Sequence, residues 1–429
     1  MRKFYYENKI NKYYNYKGIE DLTVSFNSGV NLIIGNNGSG KSSLLAGISL
    51  ALESLLFGIE DGNSKTITRS DVRVVPTLIG SVTDNIEYCT PVSVRCNFEI
   101  DGITYDTLYK YYENPSKNEA TNQRDMNFEA IKKVRTLVND KNSRLPLLSY
   151  QGDRRQFFTA KNAPDLPSGQ IERRQGYKDC LNGMASVDAI QNWCAQMDYA
   201  GYRLGSEPIE YLLFKNIVSR FIIELEGNDQ ARVEFSPKLN RLVYSENGNG
   251  YLIHNLSAGY QSVLCLVMEL AYRTALLNPN LNNVETLEGV VVIDEIDMHL
   301  HPRWQWKILG ALRATFPKVQ FIIATHSPIV ISSAENAKLI VMKNPNSIKY
   351  LDDAYGYNVG DVLELTQESI DMPQEVKNWR KEIEQALDEN DLSKAENIVR
   401  ESANKLGEDS SAVKRMRDFL EVNKWIAEE

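Results

Sequence analysis

The chain has 429 residues, 42% of them hydrophobic and 24% charged, with a net charge of −9. These proportions suit a globular protein and exclude a collagenous or low-complexity chain. The acidic balance gives no global pull toward nucleic acid.

No apolar run reaches bilayer length: the best, from Val263 to Leu277, is interrupted by Glu269 and Arg273. Met1 to Glu7 has no apolar core that could serve as a secretion signal. The five cysteines are scattered and none forms a C-x-x-C pair. That argues against a disulfide framework, a structural zinc site or a zinc-hook apex, and fits a reducing cytoplasm. The expected location is cytoplasmic, with no membrane partner.

In chain order, residues 1–34 read as short strands ending in the buried run Val30-Asn-Leu-Ile-Ile34. A Gly-rich turn and a helix over 41–57 follow. Alternation from Val72 to Tyr112 predicts short strands. Residues 115–145 are polar and partly helical, and 160–176 read as a loop. A helical stretch is expected over 185–226, then strands at 231–235 and 241–245. Next come a helix over 257–277, a strand at 289–293, a helix over 302–314 and a strand at 319–324. From Met372 the tail reads as helical, with breaks at 390–391 and 407–411. Its apolar stripes are Trp379, Ile383, Ala386, Leu387, then Ala395, Ile398, Val399, Ala403, and Met416, Phe419, Leu420 and Val422 fall in a third apolar cluster.

The alternation predicts an α/β head split by an inserted mixed α/β lobe, with a helical C-terminal appendage. The expected boundaries are 1–58 and 230–345 for the two halves of the head, 59–229 for the lobe and 346–429 for the appendage. Charge is uneven: 124–178 holds twelve Lys/Arg against six Asp/Glu, and 352–429 holds twenty acids against ten bases. Both read first as solvated surface, and second as distinct binding faces.

Four motifs carry chemistry. Gly35-Asn36-Asn37-Gly38-Ser39-Gly40-Lys41-Ser42, followed by Ser43, is a complete G-x-x-x-x-G-K-S between a strand and a helix. Glycines let successive N–H groups face phosphate oxygens, Lys41 reaches the β- and γ-phosphates, and Ser42 ligates Mg²⁺. The second is an apolar strand ending in Asp294-Glu295. Adjacent strand residues point to opposite sides, so Asp294 suits the Mg²⁺ shell and Glu295 the attacking water. The expected cofactors are ATP and Mg²⁺.

The third, Asn255-Leu-Ser257-Ala-Gly259-Tyr-Gln261, precedes a helix, 37 residues before the paired acids. A hydroxyl and a bare backbone there can meet a γ-phosphate. The fourth, Ala324-Thr-His326-Ser-Pro328, ends an apolar strand. Its imidazole can hydrogen-bond the γ-phosphate or the attacking water. His299 and His301 form a conceivable metal pair, but a structural loop is favoured.

The order of these motifs resembles the ABC-type ATPase heads of the RecF, SMC and OLD-type group. Ala258 and Tyr260 depart from that group's L-S-G-G-Q signature. The resemblance implies an ABC-type P-loop NTPase head in which Ser257 and Gly259 act in trans, on the nucleotide of a second copy. It also implies Gln151, in the segment 145–156, as the candidate Q-loop residue. The Toprim residues that follow the head in OLD-type nucleases are not found after 345. Asp371, Glu375 and Lys377 mimic a nuclease triplet only by chance, beside Pro373 at a helix start. This profile, with Tyr355-Gly-Tyr-Asn-Val, resembles the ATPase subunit of Septu-type defence systems, whose partner is a nuclease. The implied function is an ATP-hydrolysing homo-dimer or higher homo-oligomer that regulates a nuclease effector in trans. A DNA-repair ATPase that clamps nucleic acid directly is the alternative.

Overall fold

A computed structural model describes residues 6–57, 59, 65–79, 82–100, 103–114, 119–125, 127–153, 172–184, 187–351, 354–367, 373–389 and 391–428. They divide into two units, 1–358 and 359–429.

The larger unit begins with β1 (Tyr6–Tyr16), β2 (Ile19–Ser25) and β3 (Val30–Ile34), then α1 (Lys41–Glu53). Strands β4 (Arg73–Ile79) and β5 (Val82–Cys89) form a hairpin. β6 (Val92–Ile100), β7 (Ile103–Asn114) and β8 (Glu119–Asp125) lead to α2 (Phe128–Asn139) and β9 (Leu147–Gln151). Helices α3 (Val187–Leu204) and α4 (Ile209–Glu226) come next. A three-stranded sheet follows, made of β10 (Arg232–Ser236), β11 (Arg241–Glu246) and β12 (Asn249–Leu252). The unit closes with α5 (Ala258–Leu277), β13 (Glu288–Ile293), α6 (Pro302–Gln305), α7 (Ile308–Thr315), β14 (Lys318–Thr325), α8 (Pro328–Ser332), β15 (Lys338–Asn344) and β16 (Ser347–Leu351).

Two sheets define the core. One is antiparallel, in the order β2-β1-β6-β7-β8. The other runs β16-β15-β3-β14-β13-β9 and is parallel except at β16. Helix α1 lies in their shared core: Leu44, Leu45 and Ile48 pack with Val94 and Phe98 of the first sheet and Val292, Ile322 and Ile340 of the second. That explains why α1 is apolar on most faces. Each such side chain contributes about 1.5–3 kcal/mol by burial. All five residues of β3 are buried, as a central parallel strand requires. The parallel strands end together, and in open parallel sheets that edge is where ligands sit.

The lobe boundaries differ from the sequence reading. β6–β8 extend the sheet begun by β1, and β9 pairs in parallel with β13. Much of 59–229 is therefore built into the head. Pairing between strands so distant in sequence leaves no local trace. The appendage also starts later than 346, because β16 still pairs with β15. The helix expected over 302–314 is broken into α6 and α7.

The smaller unit holds α9 (Val359–Gln367), α10 (Gln374–Asp388), α11 (Leu392–Leu406) and α12 (Ser411–Glu428). Trp379, Ile383, Ala386, Ala395, Ile398 and Val399 form its core, with Leu387 at the margin, and Ala403 is buried. The third cluster divides between core and surface. Val413, Met416 and Leu420 point inward, while Phe419 and Val422 are 41% and 55% exposed. Spacing of three and four residues selects the former set. Among the described residues, no helix is long and apolar enough to cross a membrane.

Candidate functional site

β3 delivers the chain to the phosphate loop. Gly38 and Gly40 have φ of 81° and 98°, a region L side chains rarely adopt. Gly40 is the N-cap of α1, so no side chain caps the helix, and its first turn holds no acid. The first-turn N–H groups thus lack a side-chain acceptor at the positive end of the helix dipole. Ser39 Oγ is buried without a hydrogen-bond partner. A buried polar atom left this way marks a place that a ligand can complete, and a phosphate oxygen suits it. Asn36, Asn37 and Ser42 are exposed, and Ser43 is half-buried.

Lys41 is only 6% exposed, and its Nζ donates to Gly35 O at 2.9 Å and Asn36 O at 3.1 Å. Burial lowers its pKa, against the opposing pull of Asp294, Glu295 and Asp297. These acids belong to the turn after β13. Asp294 N donates to Gln151 O at 2.8 Å, which ties that turn to the end of β9. Ser42 and Asp294 carry oxygen atoms of the hard kind that Mg²⁺ prefers.

Glu295 has φ of 47°. A non-glycine residue held there costs about 1–3 kcal/mol, and such strain concentrates at functional sites. Burial raises its pKa, and the charges of Asp294, Asp297 and Asp153 add to the rise against Lys41. A carboxylate pushed upward in this way is a better proton acceptor. Asp297 accepts from Thr325 Oγ1 and, at 3.3 Å, from His326 N. It thereby holds the end of β14 against the acid turn. Burial and then Lys41 lower the pKa of His326 against the pull of Asp297 and Asp294, which favours the neutral imidazole with its one acceptor nitrogen.

The structure thus brings Lys41, Asp294, Glu295 and His326 to one edge. Gln151 reaches that edge through its backbone, while its buried side chain donates to Ser149 Oγ at 2.8 Å. Arg154 and Gln156 lie outside the described residues. Asp153 and the Asp297–Thr325 tie were not singled out from sequence. Only the spacing of Asp297 from Glu295 could have pointed to the latter.

The signature turn is assembled separately. Ser257 caps α5, with Tyr260 N donating to its Oγ at 3.4 Å. Gln261 Nε2 donates to His254 O at 3.2 Å and Leu256 O at 2.7 Å. A Cβ on Gly259 would lie 2.6 Å from His299 O, so only glycine fits without moving backbone. Tyr260, the departure from the usual signature, sets its ring edge-on to Trp304 at 4.5 Å. His301 Nδ1 accepts from Arg303 N and caps α6, while His299 is exposed. No metal-binding group of three or more side chains occurs among the described residues. His301 thus has a structural role as a helix cap. Glu375 and Lys377 lie on helix α10, not on strands, and Asp371 lies outside the described residues.

The chain resembles known proteins along most of its length. Residues 12–192 match a family model described as "AAA domain". Residues 195–332 match one described as "AAA domain, putative AbiEii toxin, Type IV TA system". The chain is 27% identical to "Retron Vc95 probable ATPase" of Vibrio cholerae serotype O1 biovar El Tor, over 83% of this chain and 78% of that one. It is 26% identical to "Septu protein PtuA" of Bacillus thuringiensis, over 81% and 80% of the two chains. Among solved structures, the SMC head domain of Thermotoga maritima aligns with 80% of this chain and 99% of that chain, at 15% identity and a TM-score of 0.45. The expected resemblance to ABC-like ATPases of defence systems holds.

Proposed function

We propose that this ABC-type ATPase head binds ATP with Mg²⁺ at the edge formed by β3, β13 and β14, and closes on a second copy. The observation that carries this reading is the separation of two prepared half-sites. Lys41, Asp294, Glu295 and His326 converge on the phosphate loop, while Ser257 caps α5 and Gly259, in its first turn, lies against His299 O, within a different set of contacts. In an isologous pair, each signature turn covers the other copy's phosphate loop.

Lys41 and the α1 N–H groups hold the β- and γ-phosphates. Mg²⁺ bound by Ser42 and Asp294 would neutralise charge on the phosphate oxygens. Glu295 takes a proton from the attacking water, and neutral His326 orients that water or the γ-phosphate. Gln151 senses the state of the site from the end of β9. Hydrolysis resets the pair, and the change is passed to a separate nuclease effector in anti-phage defence. The retron and Septu names of the relatives support the ATPase part of this reading and its place in such systems. The smaller helical unit is the surface assigned to that effector, because its acidic excess comes with no catalytic constellation among the described residues.

Light scattering of the Glu295→Gln protein tests the closure. Its mass should double with ATP and Mg²⁺. Full-length chain purified from its host should retain a nuclease that a chain ending at 358 loses. Tight, salt-sensitive binding to duplex DNA by the protein alone, without such a partner, would favour the direct DNA clamp instead.

A further inference from the structure

The stretch 173–183 touches three motif-bearing elements around the candidate site: β9, α1 and α5. Cys180 O accepts from Tyr150 N at 2.7 Å, and Gly183 O accepts from Gly152 N at 3.0 Å, so it brackets Gln151 on both sides. Leu181 O accepts from Ser49 Oγ of α1 at 2.7 Å and from Lys65 Nζ. Gly176 O and Lys178 O each accept from an Arg273 N–H at 2.8 Å.

Arg273 belongs to α5, the helix that Ser257 caps. It is 1% exposed, and its Nε donates at 2.7 Å to Glu269 Oε1, itself wholly buried. A buried ion pair is expensive to desolvate and adds little net stability over apolar side chains of the same size. Here the guanidinium fork gains directional bonds to two carbonyls of a segment whose only regular structure is one short 3-10 turn. That geometry specifies where the segment sits.

We propose that Arg273 is a positioning residue, and that 173–183 is a strap that carries displacement of the signature helix to the Gln151 turn and to α1. The proposal rests on the two-copy reading above, because a second copy's nucleotide is what engages the signature turn. Each link is short and directional. Glu269 and Arg273 lie one helical turn apart. Arg273 fixes the strap, and the strap's carbonyls fix Tyr150, Gly152 and Ser49. Closure at Ser257 then alters the same edge that holds Lys41 and Glu295, so occupancy by the partner tunes hydrolysis.

Hydrogen exchange on the full chain in the Glu295→Gln background, with and without ATP and Mg²⁺, tests the coupling. ATP should protect the amide of Tyr260 and, with it, those of Tyr150 and Gly152. Adding Glu269→Gln with Arg273→Met removes both charges together and leaves no lone buried ion. This double change should keep ATP-linked protection at Tyr260 and lose it at Tyr150 and Gly152. With Glu295 intact, it should lower kcat about tenfold while KM changes by less than about threefold. If the double variant misfolds, Gly183→Ala gives the same readout. It strains a φ of +81° and sets a Cβ 3.1 Å from the Tyr150 ring. Wild-type kcat with full protection at Tyr150 and Gly152 in the folded variant would overturn the strap. Absence of ATP-linked protection at Tyr260 in the parent would overturn the two-copy premise, and the strap with it.

Discussion

The phosphate loop and the signature turn both sit at helix N-termini, yet they are finished differently. At α1 the cap is a left-handed glycine, Ser39 Oγ has no partner, and charges crowd around Lys41. At α5 the serine caps its own helix, Gln261 pins the preceding loop, and Tyr260 packs on Trp304. The first terminus is incomplete until an anion arrives. The second is complete and ready to be presented. In the proposed pair, one copy would carry a receptor and a lid with no need to fit the two together itself.

The comparison can be broken most severely at Glu295. Glu295→Gln should slow turnover by roughly 10²-fold or more, the scale of a lost general base, with ATP still bound. A single-turnover assay at saturating ATP checks it, and an unchanged rate would mean that Glu295 is not the base. Lys41→Ala should weaken ATP binding about tenfold or more, equivalent to roughly 1.4 kcal/mol per decade. Equilibrium titration with a fluorescent ATP analogue measures that loss. Wild-type affinity in the folded variant would refute the phosphate-loop assignment.

The smallest effect concerns pH. Glu295 must be ionised to accept a proton, and its pKa lies above the usual 4.5. The acid limb of the kcat profile should therefore fall above that value, with activity lost as pH drops through it. Asp153 supplies part of the rise, so Asp153→Asn should move the limb to lower pH. A limb that stays in place removes Asp153 from the account.

How much was legible in sequence follows from the range of the contacts. The phosphate loop, Asp294-Glu295 and Thr325-His326 are contiguous runs at strand ends, so pattern and spacing exposed them. The Asp297–Thr325 tie spans 28 residues, and the Arg273 contacts to the strap span 95 and 97. No local periodicity encodes such contacts. β9 was read as part of an insertion because its partner β13 lies far along the chain. Phe419 and Val422 group with the buried Met416 and Leu420 in sequence because a cluster of apolar residues does not fix its helical phase.

The central claim is that each nucleotide site is built from two copies, and mixing inactive variants tests it most directly. Lys41→Ala and Ser257→Arg should each hydrolyse ATP poorly alone. In an equal mixture, half of the pairs are mixed and each of these keeps one intact site, so up to about a quarter of wild-type activity should return. A mixture no more active than the sum of its two components would contradict the shared site.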